Sequence, residues 1–166
     1  MAASPGAAIA PTTTHPNQAL LVSFYEAFAR RDPKAMAAFY AADVHFSDPV
    51  FPDLKGVQVG RMWRMLAAGA NELTLTFCDV QADDQEGSVH WEATYLFSRT
   101  GRRVHNVIEA RFRFRQGLIV DHRDSFGFWR WSRQALGFTG WVLGWTPLVK
   151  RTVRRQAAAR LAAFQG

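Results

Sequence analysis

Between residues 73 and 126 apolar side chains return at every second position in four consecutive stretches, 73–80, 88–98, 102–115 and 118–126, which is the spacing of half-buried β-strands. Short links rich in turn residues separate them, from Asp83 to Gly87, at Thr100-Gly101 and at Gln116-Gly117. Each stretch is therefore expected to fold back on the one before as an antiparallel hairpin. The third separates its faces most cleanly. Val104, Asn106, Ile108, Ala110, Phe112 and Phe114 oppose His105, Glu109, Arg111, Arg113 and Arg115, and only the first set suits a core.

In the last stretch, alternation puts Leu118, Val120, His122, Asp124 and Phe126 on one face. An imidazole and a carboxylate thus stand where a core wants apolar groups, and burying them costs free energy unless they are paired or used. Asp124 and His122 are the candidate catalytic pair. Trp63, Trp91, Tyr95, Asn106 and Phe126 are candidate pocket lining, with Tyr25 and Asp48 as further pocket candidates.

Ahead of the strands the period is helical. Asn17 is placed to cap a helix whose Leu20, Leu21, Phe24 and Phe28 share one side. Asp32-Pro33 supplies a second cap, and Met36, Phe39 and Tyr40 form the stripe of a short second helix. Residues 44–48 read as a strand with Asp48 on its apolar side, followed by a loop over 49–56 and a third helix ending near Gly69. At 166 residues the chain suits one domain. Residues 1–16 hold no Lys or Arg and three prolines, so a flexible tail is expected rather than a signal peptide. The single Cys78 excludes an internal disulfide framework, fits a cytoplasmic protein, and reads as a small buried hydrophobe. The five His residues are dispersed, with no metal-binding spacing, phosphate loop or nucleophile elbow, so no metal or cofactor is expected.

Helices followed by a run of strands describe an α+β fold. Three segments, FYEAFARRDPKAMAAFYAADVHFSDP, RRVHNVIEARFRFRQG and LIVDHRDSFGFWRW, resemble the SnoaL-like branch of the nuclear transport factor 2-like superfamily over residues 17–131. The resemblance implies a cone: a curved antiparallel sheet wrapped around the N-terminal helices, enclosing an apolar pocket. It places Asp124 where SnoaL-type polyketide cyclases keep an acid/base aspartate and limonene epoxide hydrolase its water-activating aspartate. The hydrolase's Arg-x-Asp pair has only His90 and Glu92 as equivalents, which alternation turns to the outer face. Asp48 is similar to the base of ketosteroid isomerase, but Phe24 stands at that enzyme's tyrosine position, with Tyr25 about 100° further around the helix. Ala110 stands at its buried acid. The implied function is an acid/base enzyme of cyclase, isomerase or hydrolase type acting on a small hydrophobic molecule. The alternative is a non-catalytic ligand-binding or dimerisation module, and a homodimer is expected.

Residues 132–166 form an extension. The net charge of +6 concentrates there, with Lys150, Arg151, Arg154, Arg155 and Arg160 and no acidic residue after Asp124. Trp129, Trp131, Phe138, Trp141 and Trp145 crowd the same region, and Leu148, Val149, Val153, Ala157, Leu161 and Phe164 mark a final amphipathic helix. The apolar run over 137–149 is too short to span a bilayer. It is expected first to cover its own domain, second to form a dimer interface, and third to contact a membrane surface peripherally through the C-terminal helix. Nucleic-acid binding through Arg111, Arg113 and Arg115 is disfavoured, because no outward aromatic residues accompany them.

Overall fold

The computed structural model describes residues 15–69 and 72–165. Most of the expected tail, residues 1–14, lies outside them. Helix α1 (Pro16–Ala29) begins two residues earlier than Asn17 allows as a cap: His15 is the N-cap, its Nδ1 accepting from the Asn17 N–H at 3.1 Å, with Pro16 in the first turn. Asn17 is instead buried, and its Nδ2 donates to the Asp83 carbonyl at 2.8 Å, pinning the helix to a strand turn. Helix α2 (Pro33–Ala37) is capped by Asp32 as its sequence requires. It stops short of Tyr40, which belongs to strand β1 (Tyr40–Ser47) and pairs with Ile119; sheet pairing there outweighs helical propagation.

A two-residue strand β2 (Leu54–Lys55) occupies the expected loop, and α3 (Val57–Gly69) follows. Strands β3 (Thr74–Ala82), β4 (Glu86–Phe97), β5 (Arg102–Arg115) and β6 (Leu118–Ser125) form the expected antiparallel meander. The sheet order is β2-β1-β6-β5-β4-β3, and β1 lies parallel to β6. The sheet is thus mixed rather than wholly antiparallel, because the helix-containing stretch between β1 and β3 lets β1 reach the free edge of β6 in the same direction.

Two departures from strict alternation matter. The pairing of β5 with β6 passes from Phe114↔Ile119 to Arg113↔Asp121, so Val120 is an extra residue, a bulge. It turns Ile119 inward and leaves Leu118 37% exposed, yet restores the inward phase at His122 and Asp124. On β3, Cys78 is exposed and not a buried hydrophobe, since Phe77 beside it takes the inward position and packs on the core.

The core fills the space between the sheet and helices α1 and α3, around Leu21, Phe24, Phe46, Met62, Ile108 and Phe112. A second apolar cluster of Val104, Trp131, Ala135 and Val153 joins the sheet end to α4 (Phe128–Leu136) and α6 (Pro147–Ala163), with α5 (Phe138–Leu143) between them. The junction is also polar: Trp131 Nε1 donates to Tyr95 Oη at 3.0 Å and Arg102 Nε to the Gln134 carbonyl at 2.8 Å. Within the final helix Val153 and Leu161 are buried, whereas Leu148, assigned to the same stripe, is 72% exposed.

Candidate active site

Parallel pairing sets Phe46 opposite His122, and antiparallel pairing sets Ala110 opposite Asp124. Both ionisable side chains point into the molecule; His122 is fully buried and Asp124 is 5% exposed. The imidazole sits among aromatic rings, 4.3 Å from Phe112, 5.0 Å from Phe46 and 5.7 Å from Phe24 by ring centroids, and stacks against Tyr40 and Trp63.

Its polar atoms are satisfied by a chain of hydrogen bonds. An indole N–H only donates, so the 3.0 Å contact makes Tyr40 Oη the acceptor for Trp63 Nε1. Tyr40 then gives its own proton to His122 Nδ1 at 2.7 Å, which assigns the Nε2–H tautomer. His122 Nε2 donates to Asp124 Oδ1 at 3.0 Å. Trp91 Nε1 reaches the same oxygen at 3.4 Å, beyond ordinary hydrogen-bond length and the weakest link of the chain. Burial drives the Tyr40 phenol well above its ordinary pKa, opposed by the Trp63 donor and reinforced by the Asp124 charge.

Two groups nearby retain unused capacity. Asp124 Oδ2 meets no protein donor among the described residues. Tyr25 Oη is buried without a partner among the described residues. Burial first, and the Asp124 charge second, push the Tyr25 phenol well above its usual value, so the two groups sense one another. Tyr25 itself is stacked on Phe77 and set against Trp91.

A cavity of about 240 Å³ lies on the other side of the two indoles. Trp63, Trp91, Tyr95, Asn106 and Phe126 all line it, whereas Asp124, His122, Tyr25 and Asp48 do not form its wall. Its deep end is apolar, at Phe28, Ile108 and the tryptophans. The exposed Arg99, Gln156 and Arg160 stand at the mouth, where Arg99 hydrogen-bonds Gln156 and Arg160 Nη1 donates to Ser98 Oγ at 3.2 Å. The extension therefore supplies part of this wall, through Val153 and Ala157 as well, next to Trp131 of α4. Sequence reasoning left Tyr40 and these extension residues out of the site. The parallel register that brings Tyr40 to His122 has no local signature, and the α6 contribution was legible only as an apolar stripe.

Asp48 does turn work: Oδ1 accepts from the Val50 N–H at 2.6 Å and the Phe51 N–H at 2.5 Å. Burial lifts its carboxyl to about 7 against the Phe51 donor, with the Asp124 charge adding to the rise. On the outer sheet face, Glu109 bonds His90 at 2.6 Å and Glu92 bonds His105 at 2.7 Å, away from the cavity. Among the described residues no three His, Cys, Asp or Glu side chains are placed to hold a metal ion.

The profile of the SnoaL-like domain family matches residues 21–122, ending two residues before Asp124. No curated protein matches the chain. Solved structures with the same fold include a Catenulispora acidiphila protein with a ketosteroid isomerase-like fold, in complex with trimethylamine, at 15% identity and a TM-score of 0.64; 77% of this chain and 97% of that one are covered. A limonene epoxide hydrolase-like epoxide hydrolase of M. tuberculosis aligns at 17% identity and a TM-score of 0.61, covering 81% and 95%. A nuclear transport factor 2-like protein of Burkholderia pseudomallei aligns at 21% identity and a TM-score of 0.60, covering 69% and 92%. At such identities the likeness carries the fold alone.

Proposed function

The chain belongs to the SnoaL-like domain family, and from that premise we propose that it is an acid/base enzyme acting on a small, largely apolar molecule, with Asp124 as the proton-transferring group. The observation that carries this reading is residual polar capacity in the buried interior: a carboxylate held through Oδ1 alone, and the unpartnered hydroxyl of Tyr25, whose phenol the Asp124 charge reaches. A substrate oxygen is the complement of that pair. Tyr25 Oη–H donates to a carbonyl oxygen, Asp124 Oδ2 takes a proton from the adjacent carbon, and the C–H electron pair moves toward the oxygen. His122 is a positioning residue that fixes the carboxylate through Oδ1. Trp91 lines the cavity and holds Asp124 through the longest bond of the chain, so a ligand reaches the carboxylate when this indole turns aside.

The cavity is smaller than the roughly 300–1,000 Å³ of drug-sized sites, which limits the occupant to a small molecule. An apolar body with a polar or anionic end toward Arg99 and Arg160 suits the lining. Turnover of a panel of small cyclic ketones and epoxides tests the proposal. Asp124→Asn is expected to lower any turnover found by at least about 100-fold while ligand-induced quenching of tryptophan fluorescence persists. Turnover undiminished in that variant sinks the reading.

A non-catalytic ligand-binding module is the second reading, favoured by the absence of Asp124 from the cavity wall. Under it, Asp124→Asn changes stability and affinity, and no member of the panel is converted by the wild-type protein.

A further inference from the structure

Residues 125–166 contain seven Lys and Arg and no Asp or Glu, while residues 1–124 contain thirteen against fourteen. All of the chain's positive excess therefore belongs to this C-terminal segment. The same segment exposes several large apolar side chains: Phe138 is 81% exposed, Leu148 72%, Trp145 70% and Trp141 60%. The expectation that this run covers its own domain fails for α5 and the start of α6, and the reason is steric. Helix α5 lies against α4 through its glycines; a Cβ on Gly140 would stand 1.9 Å from the Ser132 carbonyl oxygen, and one on Gly144 2.0 Å from Ser132 Oγ. With the small residues facing the protein, Phe138, Trp141 and Trp145 can only face out.

Around this apolar tip sit cations. The Arg133 guanidinium lies 4.5 Å from the Trp129 ring, Lys150 Nζ lies 5.7 Å from the Phe128 ring, and Arg130, Arg151 and Arg155 are exposed. Protruding indoles with a rim of Lys and Arg match the chemistry of a membrane interface, where the rings enter the headgroup layer and the cations meet anionic lipid. No helix among the described residues is long and apolar enough to cross a membrane, so the contact is peripheral. A second copy of the chain suits the patch poorly, since a two-fold contact would oppose two segments that each carry seven cations and no acid.

We propose that the α5–α6 corner docks on an anionic lipid surface, with Phe138, Trp141, Trp145 and Leu148 inserted and Arg130, Lys150, Arg151 and Arg155 at the headgroups. Further along, α6 walls the cavity with Val153, Ala157 and Arg160, so docking brings the mouth of the cavity close to a source of apolar molecules. Vesicle binding depends on this surface alone, and its failure would leave the reading of Asp124 untouched.

The test is co-sedimentation of the full chain with vesicles of phosphatidylserine and phosphatidylcholine, against phosphatidylcholine alone. The expected result is partition into the anionic vesicles at least tenfold above the neutral ones, weakened by added salt, with a blue shift of tryptophan emission. Arg151→Glu with Arg155→Glu, both at exposed positions, should lower partition by about 25-fold or more, at roughly fivefold per charge removed. Trp141→Ser with Trp145→Ser should lower it at least tenfold. Absence of partition, equal binding to both vesicle types without salt dependence, or a dimer in solution that the tryptophan variant dissolves would each overturn the proposal.

Discussion

Asp48→Asn isolates one buried charge. In the native protein Asp48 Oδ1 accepts two backbone N–H groups, a task that the Asn carbonyl oxygen repeats, so the turn is kept and only the titrating oxygen is lost. The carboxyl moves from 3.8 to about 7 on folding, chiefly by burial. A folded-state pKa above the unfolded one means that the native state binds more protons between these values, so stability falls as pH rises from about 4 to about 7. Three pH units at about 1.4 kcal/mol each give about 4 kcal/mol for a fully buried carboxylate. Asp48 is only half-buried, and screening by water reduces this to about 2 kcal/mol. Urea unfolding of both proteins at pH 4, 6 and 8 is the assay. The variant is expected to match the wild type at pH 4 and to exceed it by about 2 kcal/mol at pH 8, a midpoint gain of roughly 4–8 °C by heat. A difference that is constant with pH, or a variant less stable at pH 8, refutes the reasoning. In an Asp124→Asn background the gain should shrink, because the Asp124 charge contributes to the rise.

Three further substitutions probe neighbouring features. Tyr25→Phe removes an unpartnered buried hydroxyl and should leave stability unchanged or raise it by up to about 1 kcal/mol, while weakening binding of a carbonyl ligand; a loss above about 1 kcal/mol in thermal unfolding would mean that the hydroxyl has a partner. Tyr40→Phe strips both Trp63 Nε1 and His122 Nδ1 of their partner and should cost about 2–4 kcal/mol in urea unfolding, against nearly nothing if the chain of bonds contributes little. Gly140→Ala drives a methyl group into the Ser132 carbonyl and should cost about 2–3 kcal/mol, with near-UV dichroism of the tryptophans altered; an unchanged spectrum would contradict the close approach of α5 to α4.

The four long strands were legible because their period and their hairpin links are both local properties. The inward turn of His122 and Asp124 followed from the same period, although the Val120 bulge means that Leu118 and Ile119 exchange faces upstream. What escaped was non-local. Nothing near Tyr40 announces that β1 runs parallel beside β6, and without that pairing the residue reads as the end of a helix stripe. Cys78 was read from residue type, whereas its exposure follows from phase, one position from Phe77. In the extension the glycine spacing of Gly140 and Gly144 was visible, but only the packing against Ser132 decides which side of α5 faces water.

The central claim is that Tyr25 Oη receives a ligand oxygen while Asp124 Oδ2 faces the carbon next to it. A crystal structure of the protein with 2-naphthol, an apolar body bearing one hydroxyl, tests it most directly. The account predicts the naphthol ring in the cavity, Trp91 turned from Asp124, the hydroxyl within roughly 2.6–3.2 Å of Tyr25 Oη, and Asp124 Oδ2 against the adjacent ring carbon. Naphthol seated in the cavity with the Trp91 N–H still on Asp124 and neither oxygen engaged would contradict it.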